Sequence, residues 1–161
     1  GPFPINRSTD VARKMRWVIL GISLLLSACQ GLPQDPEGTL ARIEKSRAIT
    51  VGIVAGTQDY PEMRRLLGVI QQRTNARADI SEGSAATLLT SLSDGKINLV
   101  VGSFAKESPW KTDVAFGPPL RTGRSKKNPI ELKTVMRDGE NQWIMLVESA
   151  SRSVSVEARA R

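Results

Sequence analysis

The chain of 161 residues has no histidine and one cysteine, Cys29. Ser-His-Asp and Cys-His nucleophilic catalysis are therefore excluded, as is a Cys/His zinc site. Any enzyme built from this chain would have to work with carboxylates, lysines and serines. Asp59 and Glu62 are the nearest approach to a carboxylate pair. They flank an expected helix start, and with no base or cleft in the pattern to shift their pKa values they read as solvated helix N-terminal acids. No cofactor or metal motif is present. What remains are groups that hold a solute: the hydroxyls of Thr57, Ser84 and Ser103, the carboxylate of Glu82, and the rings of Phe104 and Trp110. Each also has a plain structural reading, Ser84 as a helix cap and Trp110 as a cover for the core.

Those groups can act together only if the fold gathers them. Ala48–Val54 and Asn98–Gly102 are short, nearly continuous apolar runs rich in β-branched residues, the pattern of strands buried on both faces. Between them Met63, Leu66, Leu67 and Ile70 repeat at helical spacing, as do Ala85, Leu88, Leu89 and Leu92. Pro61 suits a first helical turn, Ser84 an N-cap, and Asp94-Gly95 a helix stop. With Arg77–Ile80 as a short strand, the order is β-α-β-α-β with right-handed crossovers. The expected class is α/β, with a mostly parallel sheet and helices on both faces. Ligands of such sheets sit at the carboxyl ends of the strands, which is why Thr57, Glu82, Ser84, Ser103 and Phe104 are candidates, with Trp110 as a wall.

Weaker strands are expected at Asp113–Phe116 and Leu132–Met136, on either side of the Gly/Lys/Pro-rich stretch 121–129. A helix is expected to start near Glu140, carrying Trp143, Leu146, Val147 and Ala150 on one face, with Trp143 read as core. Residues 151–161 are Ser/Arg-rich with little apolar content and are expected to fray.

The N-terminus reads as an address. Met15-Arg16 precedes ten mostly apolar residues, Trp17 to Leu26, and then Ser27-Ala28-Cys29. A charged start, an apolar run of about 7–15 residues and a small-residue cut describe a secretory signal, whereas a spanning helix needs about 20. Leu26-Ser27-Ala28-Cys29 resembles a bacterial lipobox, which implies a cysteine acylated and exposed as the new N-terminus after cleavage. Residues 1–14 are an extension before that expected start, and Pro-containing residues 30–36 a tether. Gln30 is not the aspartate that retains enterobacterial lipoproteins at the inner membrane. The resemblance thus favours the periplasmic side of a bacterial envelope, at the outer membrane.

Composition fits a folded domain. Hydrophobic residues make up 40% and charged residues 24% of the chain, which argues against wholesale disorder and against a polytopic membrane protein. Of the formal charge of +7, Arg7, Arg13, Lys14 and Arg16 against Asp10 contribute +3, so residues beyond Cys29 carry only +4. The densest basic cluster, Arg121, Arg124, Lys126 and Lys127, falls in an expected loop, and no nucleic-acid partner is expected.

Four ordered segments carry a family resemblance. Thr39–Ile53 resembles the opening helix and first strand of the family 3 extracellular solute-binding proteins, and Leu88–Gly102 their leucine-rich helix, glycine and following strand. Glu107-Ser108-Pro109-Trp110 leading to Ala115-Phe116-Gly117-Pro118-Pro119-Leu120, with Gly139–Trp143, resembles a short single-lobe variety of these transporter substrate-binding proteins. The resemblance spans residues 37–148 and implies a periplasmic-binding-protein-like single lobe over 37–150. It also implies a non-catalytic role, a small solute such as an amino-acid-like compound or organic acid, and an ABC permease as partner. The family's second lobe is replaced by residues 121–131. The arginine that holds the ligand carboxylate in its amino-acid binders is here Trp110, the motif's tyrosine is Leu120, and its aspartate is Ala115. The standard carboxylate clamp is thus not supported. The leading reading is a lipid-anchored solute-binding protein with a reduced or altered site. The alternative is a structural or protein-interaction lipoprotein that uses a vestigial lobe.

Overall fold

The computed structural model describes residues 35–161 apart from 113 and 126. The expected signal segment, Cys29 and most of the tether lie outside the described residues. Strand β1 (Ala48–Val54) pairs in parallel with β2 (Arg77–Gly83) on one side and β3 (Leu99–Ala105) on the other. Strand β6 (Ile130–Arg137) is inserted antiparallel beside β3, and its far edge takes β4 (Val114–Phe116) and β5 (Arg121–Thr122), both antiparallel to it. The sheet order is β2-β1-β3-β6-β4, with β5 also on β6. Five strands therefore run one way and β6 alone runs against them, which gives a mostly parallel α/β sheet.

Side-chain alternation splits the core across the sheet. On one face Ile49, Val51, Leu99, Val101, Leu132 and Met136 meet α1 (Thr39–Ser46), α2 (Pro61–Thr74) and α4 (Asn141–Val154). On the other, Val100, Phe104 and Val135 meet α3 (Ala85–Ser93) and Trp110 in a 3-10 turn (Pro109–Thr112). Helix α3 lies so close to β1 that a Cβ on Gly52 would stand 2.7 Å from a Leu88 methyl carbon, so a larger residue there would have to displace the Leu88 side chain. Trp143 is fully buried and donates from its indole Nε1 to the Asn98 carbonyl at 2.8 Å. Asn98 in turn accepts from the Thr50 amide through its side chain, so one residue ties α4, β1 and the entry to β3 together.

The helix near Glu140 forms, but the Glu140 side chain does not cap it. It is buried and reaches α1 instead, accepting the Thr39 amide at 3.2 Å, the Thr39 hydroxyl, and the Glu37 amide at 3.3 Å. Gly38, at the N-cap of α1, has no side chain with which to satisfy those donors.

The expectation of a frayed 151–161 is corrected by the structure. Helix α4 runs to Val154, and α5 (Val156–Arg159) follows after Ser155. Ser155 Oγ donates to the Leu120 carbonyl at 2.7 Å and accepts from the Ala158 amide, and Glu157 accepts the Thr122 amide and hydroxyl. The anchors are polar and the buried side chain of α5 is small Ala158, so apolar content is a poor guide to order here.

Candidate functional site

Because β1 sits between β2 and β3, α2 and α3 depart to opposite faces of the sheet, and a crevice opens where the carboxyl ends of β1 and β3 diverge. Open α/β sheets place their ligands at such a switch point. A cleft of ≈ 400 Å³ lies one strand further along, over the carboxyl half of β3 and its β6 partner. Ser103 of β3 and Leu132 of β6, paired in register, form its floor. Tyr60, immediately before α2, supplies one wall. Arg121 and Thr122 of β5, followed by Gly123 and Arg124, supply the other, and Ile130 stands on the rim.

The wall residues are held to one another. The Arg121 guanidinium lies 4.4 Å from the centre of the Tyr60 ring and donates from Nη2 to both Glu62 oxygens, at 2.8 and 3.1 Å. This hydrogen bonding is the main reason the Glu62 carboxyl pKa is lowered and the Arg121 pKa raised. Glu62 is thus not the solvated acid the sequence suggests. Its side chain is only 17% exposed, whereas Asp59 is open to solvent and 3.5 Å from Arg64. Thr122 is committed to Glu157 through both its amide and its hydroxyl, leaving the Ser103 and Tyr60 hydroxyls as the cleft's free hydroxyls among the described residues.

The six residues singled out from the sequence are not brought to one place. Ser103 lines the cleft. Phe104, its neighbour on the strand, must point to the opposite face, where it is buried edge-to-face with Phe116 at 5.4 Å between ring centres. Thr57 lies in the loop from β1 to α2, and its Oγ1 is buried without a hydrogen-bond partner among the described residues. Glu82 is exposed on the edge strand β2. Ser84 is the N-cap of α3 and accepts from the Thr87 amide at 3.2 Å. Trp110 packs against the carboxyl-terminal half of α3, lining with Leu89, Thr90, Ser93 and Asp94 a separate hollow of ≈ 410 Å³. The cleft residues Tyr60, Arg121 and Arg124 were missed. The signal available for them was the basic cluster at 121–127 directly after Pro118-Pro119-Leu120, which marks where the chain turns back into the sheet.

The architecture matches single lobes of amino-acid-binding transport proteins. It superposes on the arginine-bound form of domain 1 of TmArgBP with TM-score 0.58 and 17% identity, over 70% of this chain and 97% of that one. It also matches the arginine-bound truncated ArgBP from T. maritima, with TM-score 0.60 and 11% identity over 71% of this chain and 100% of that one. An amino acid ABC transporter substrate-binding protein from Streptococcus pneumoniae bound to L-arginine gives TM-score 0.63 and 8% identity, over 73% and 92% of the two chains. At these identities the likeness is one of fold: a periplasmic-binding-protein-like single lobe. No protein-family model and no curated protein sequence matches the chain.

Proposed function

We propose that this chain is a lipid-anchored, extracytoplasmic solute-binding lobe that holds a small solute in the cleft over β3 and β6 and passes it to a membrane partner such as an ABC permease. The observation that carries the reading is the cleft itself: in a lobe of this fold, the polar and aromatic groups of Tyr60, Ser103 and Arg121 line one hollow at the carboxyl half of β3, the end of the parallel strands at which such sheets hold ligands. Catalysis has no part in it. Among the described residues, the charged side chains of the cleft are guanidiniums, which keep their protons and cannot act as a general base, and the chain has no histidine. The anchor rests on the signal-like run and the lipobox-like Leu26–Cys29, and Gln30 favours the outer membrane.

Two measurements test this. In a bacterial host, radiolabelled palmitate should enter the wild-type chain and the protein should sediment with membranes, whereas Cys29→Ser should lose both; a soluble, unlabelled wild type refutes the anchor. A thermal-shift screen of amino acids, polyamines and organic acids should find a stabilising solute. A ligand at 100 times its Kd adds about 2.7 kcal/mol, and silence across the screen refutes solute binding. A second reading, a protein-interaction lipoprotein, is favoured by Ile130, which is 55% exposed on the cleft rim. Light scattering separates the two, since a stable dimer or complex supports the second and a ligand-responsive monomer the first.

A further inference from the structure

The charge of the cleft narrows the class of solute, and this step rests on the solute-binding reading above. Among the described residues, the charged side chains that line the cleft are Arg121 and Arg124. Carboxylates adjoining the lining residues are engaged elsewhere: Glu62 receives Arg121 Nη2 on both oxygens, Glu157 holds the Thr122 amide and hydroxyl, and Glu131 is buried beside Lys133 and Arg161. None of the three lines the cleft. Arg121 uses only Nη2 on Glu62, so the N–H groups on its Nη1 and Nε stay available, and Arg124 has no carboxylate partner among the described residues. Stacking on Tyr60 and pairing with Glu62 fix the Arg121 plane before any ligand arrives, which lowers the ordering cost of binding. Beside these donors lie the Ser103 hydroxyl, the Tyr60 side chain and the exposed side chain of Ile130.

We infer that the solute is a small organic anion carrying a carboxylate, held by Arg121 and Arg124 with its carbon body against Ile130 and Tyr60. A guanidinium fork matches the planar pair of carboxylate oxygens. The exposed side chain of Ile130 favours an organic body over inorganic phosphate. A cationic side chain would face two guanidiniums with no acid turned toward it, so the preference is opposite to that of the arginine-bound structures sharing the fold. The recognising arginines also occupy the segment after β4, and not the position held here by Trp110.

Isothermal titration of the full chain in detergent with succinate, L-glutamate, inorganic phosphate, L-leucine and L-arginine tests this. Succinate or L-glutamate should bind at least tenfold more tightly than L-arginine, L-leucine or phosphate. Arg121→Gln and Arg124→Gln should each weaken that binding tenfold or more. Arg121→Lys should restore it only in part, because the charge returns without the fork. Arg121 is 46% exposed, so folding should survive, and unchanged circular dichroism verifies it. Equal or tighter binding of L-arginine, L-leucine or phosphate, or anion binding indifferent to both arginines, overturns the inference while leaving solute binding intact. Silence from both carboxylates overturns it as well, and only silence across the wider thermal-shift screen also removes the solute-binding reading.

Discussion

Arg121 and Glu62 form a pair whose titration can be followed directly. Glu62 has its pKa depressed in the folded chain because it accepts the guanidinium's hydrogen bonds. A depressed folded-state value means that the pair's stabilisation is complete above the ordinary carboxylate pKa and is lost as pH falls through the lowered one. Arg121→Gln should therefore move the Glu62 titration, followed by carboxyl-detected NMR, back up toward its ordinary value. The stability difference between variant and wild type should be present at neutral pH and vanish in acid. Glu140 acts differently, as a buried acceptor for three donors at the start of α1. Its removal in Glu140→Ala strands those donors and should cost roughly 1.5–3 kcal/mol in urea unfolding, while Glu140→Gln, which keeps an acceptor oxygen, should cost less. Both roles were hidden in the sequence, where Glu62 reads as a solvated helix acid and Glu140 as the start of a helix.

Helix α3 begins where Ser84 accepts the Thr87 amide, and this cap was legible because its pattern is local: a hydroxyl followed by an apolar helical repeat. Ser84→Ala should lower stability by about 1 kcal/mol, read as a shift in the urea midpoint at constant slope. If Ser84 served only a ligand, the shift would be absent in the free protein. Helix α5 is held by contacts of the opposite kind. Glu157 caps the open amide edge of β5, and Ser155 bonds the Leu120 carbonyl, both across 35 residues of chain. Glu157→Ala should speed amide exchange at Thr122 and through 155–160 while the central strands keep their protection, since terminal elements open locally. The reach of β3 was not legible: the apolar run ends at Gly102, which sets Ser103 and Phe104 together beyond it, whereas β3 continues to Ala105 and turns the two to opposite faces.

The described residues fall within one compact unit, Gln34–Arg161. A fragment of that length should unfold in a single cooperative urea transition, with circular dichroism and Trp143 fluorescence coincident; separated transitions would show that the lobe is not one folding unit. The apolar runs of β1 and β3 and the helical repeats of α2 and α3 were set by composition and spacing along residues 48–102, because a strand or helix buried on the core must repeat its apolar residues at the period of its own backbone. The reversed insertion of β6 between β3 and β4, the capping of α1 by Glu140 from 101 residues away and the grip of Arg121 on Glu62 across 59 residues follow no local period. They arise when the sheet closes and brings distant donors and acceptors within reach, and the proposed anion cleft is made of contacts of this second kind.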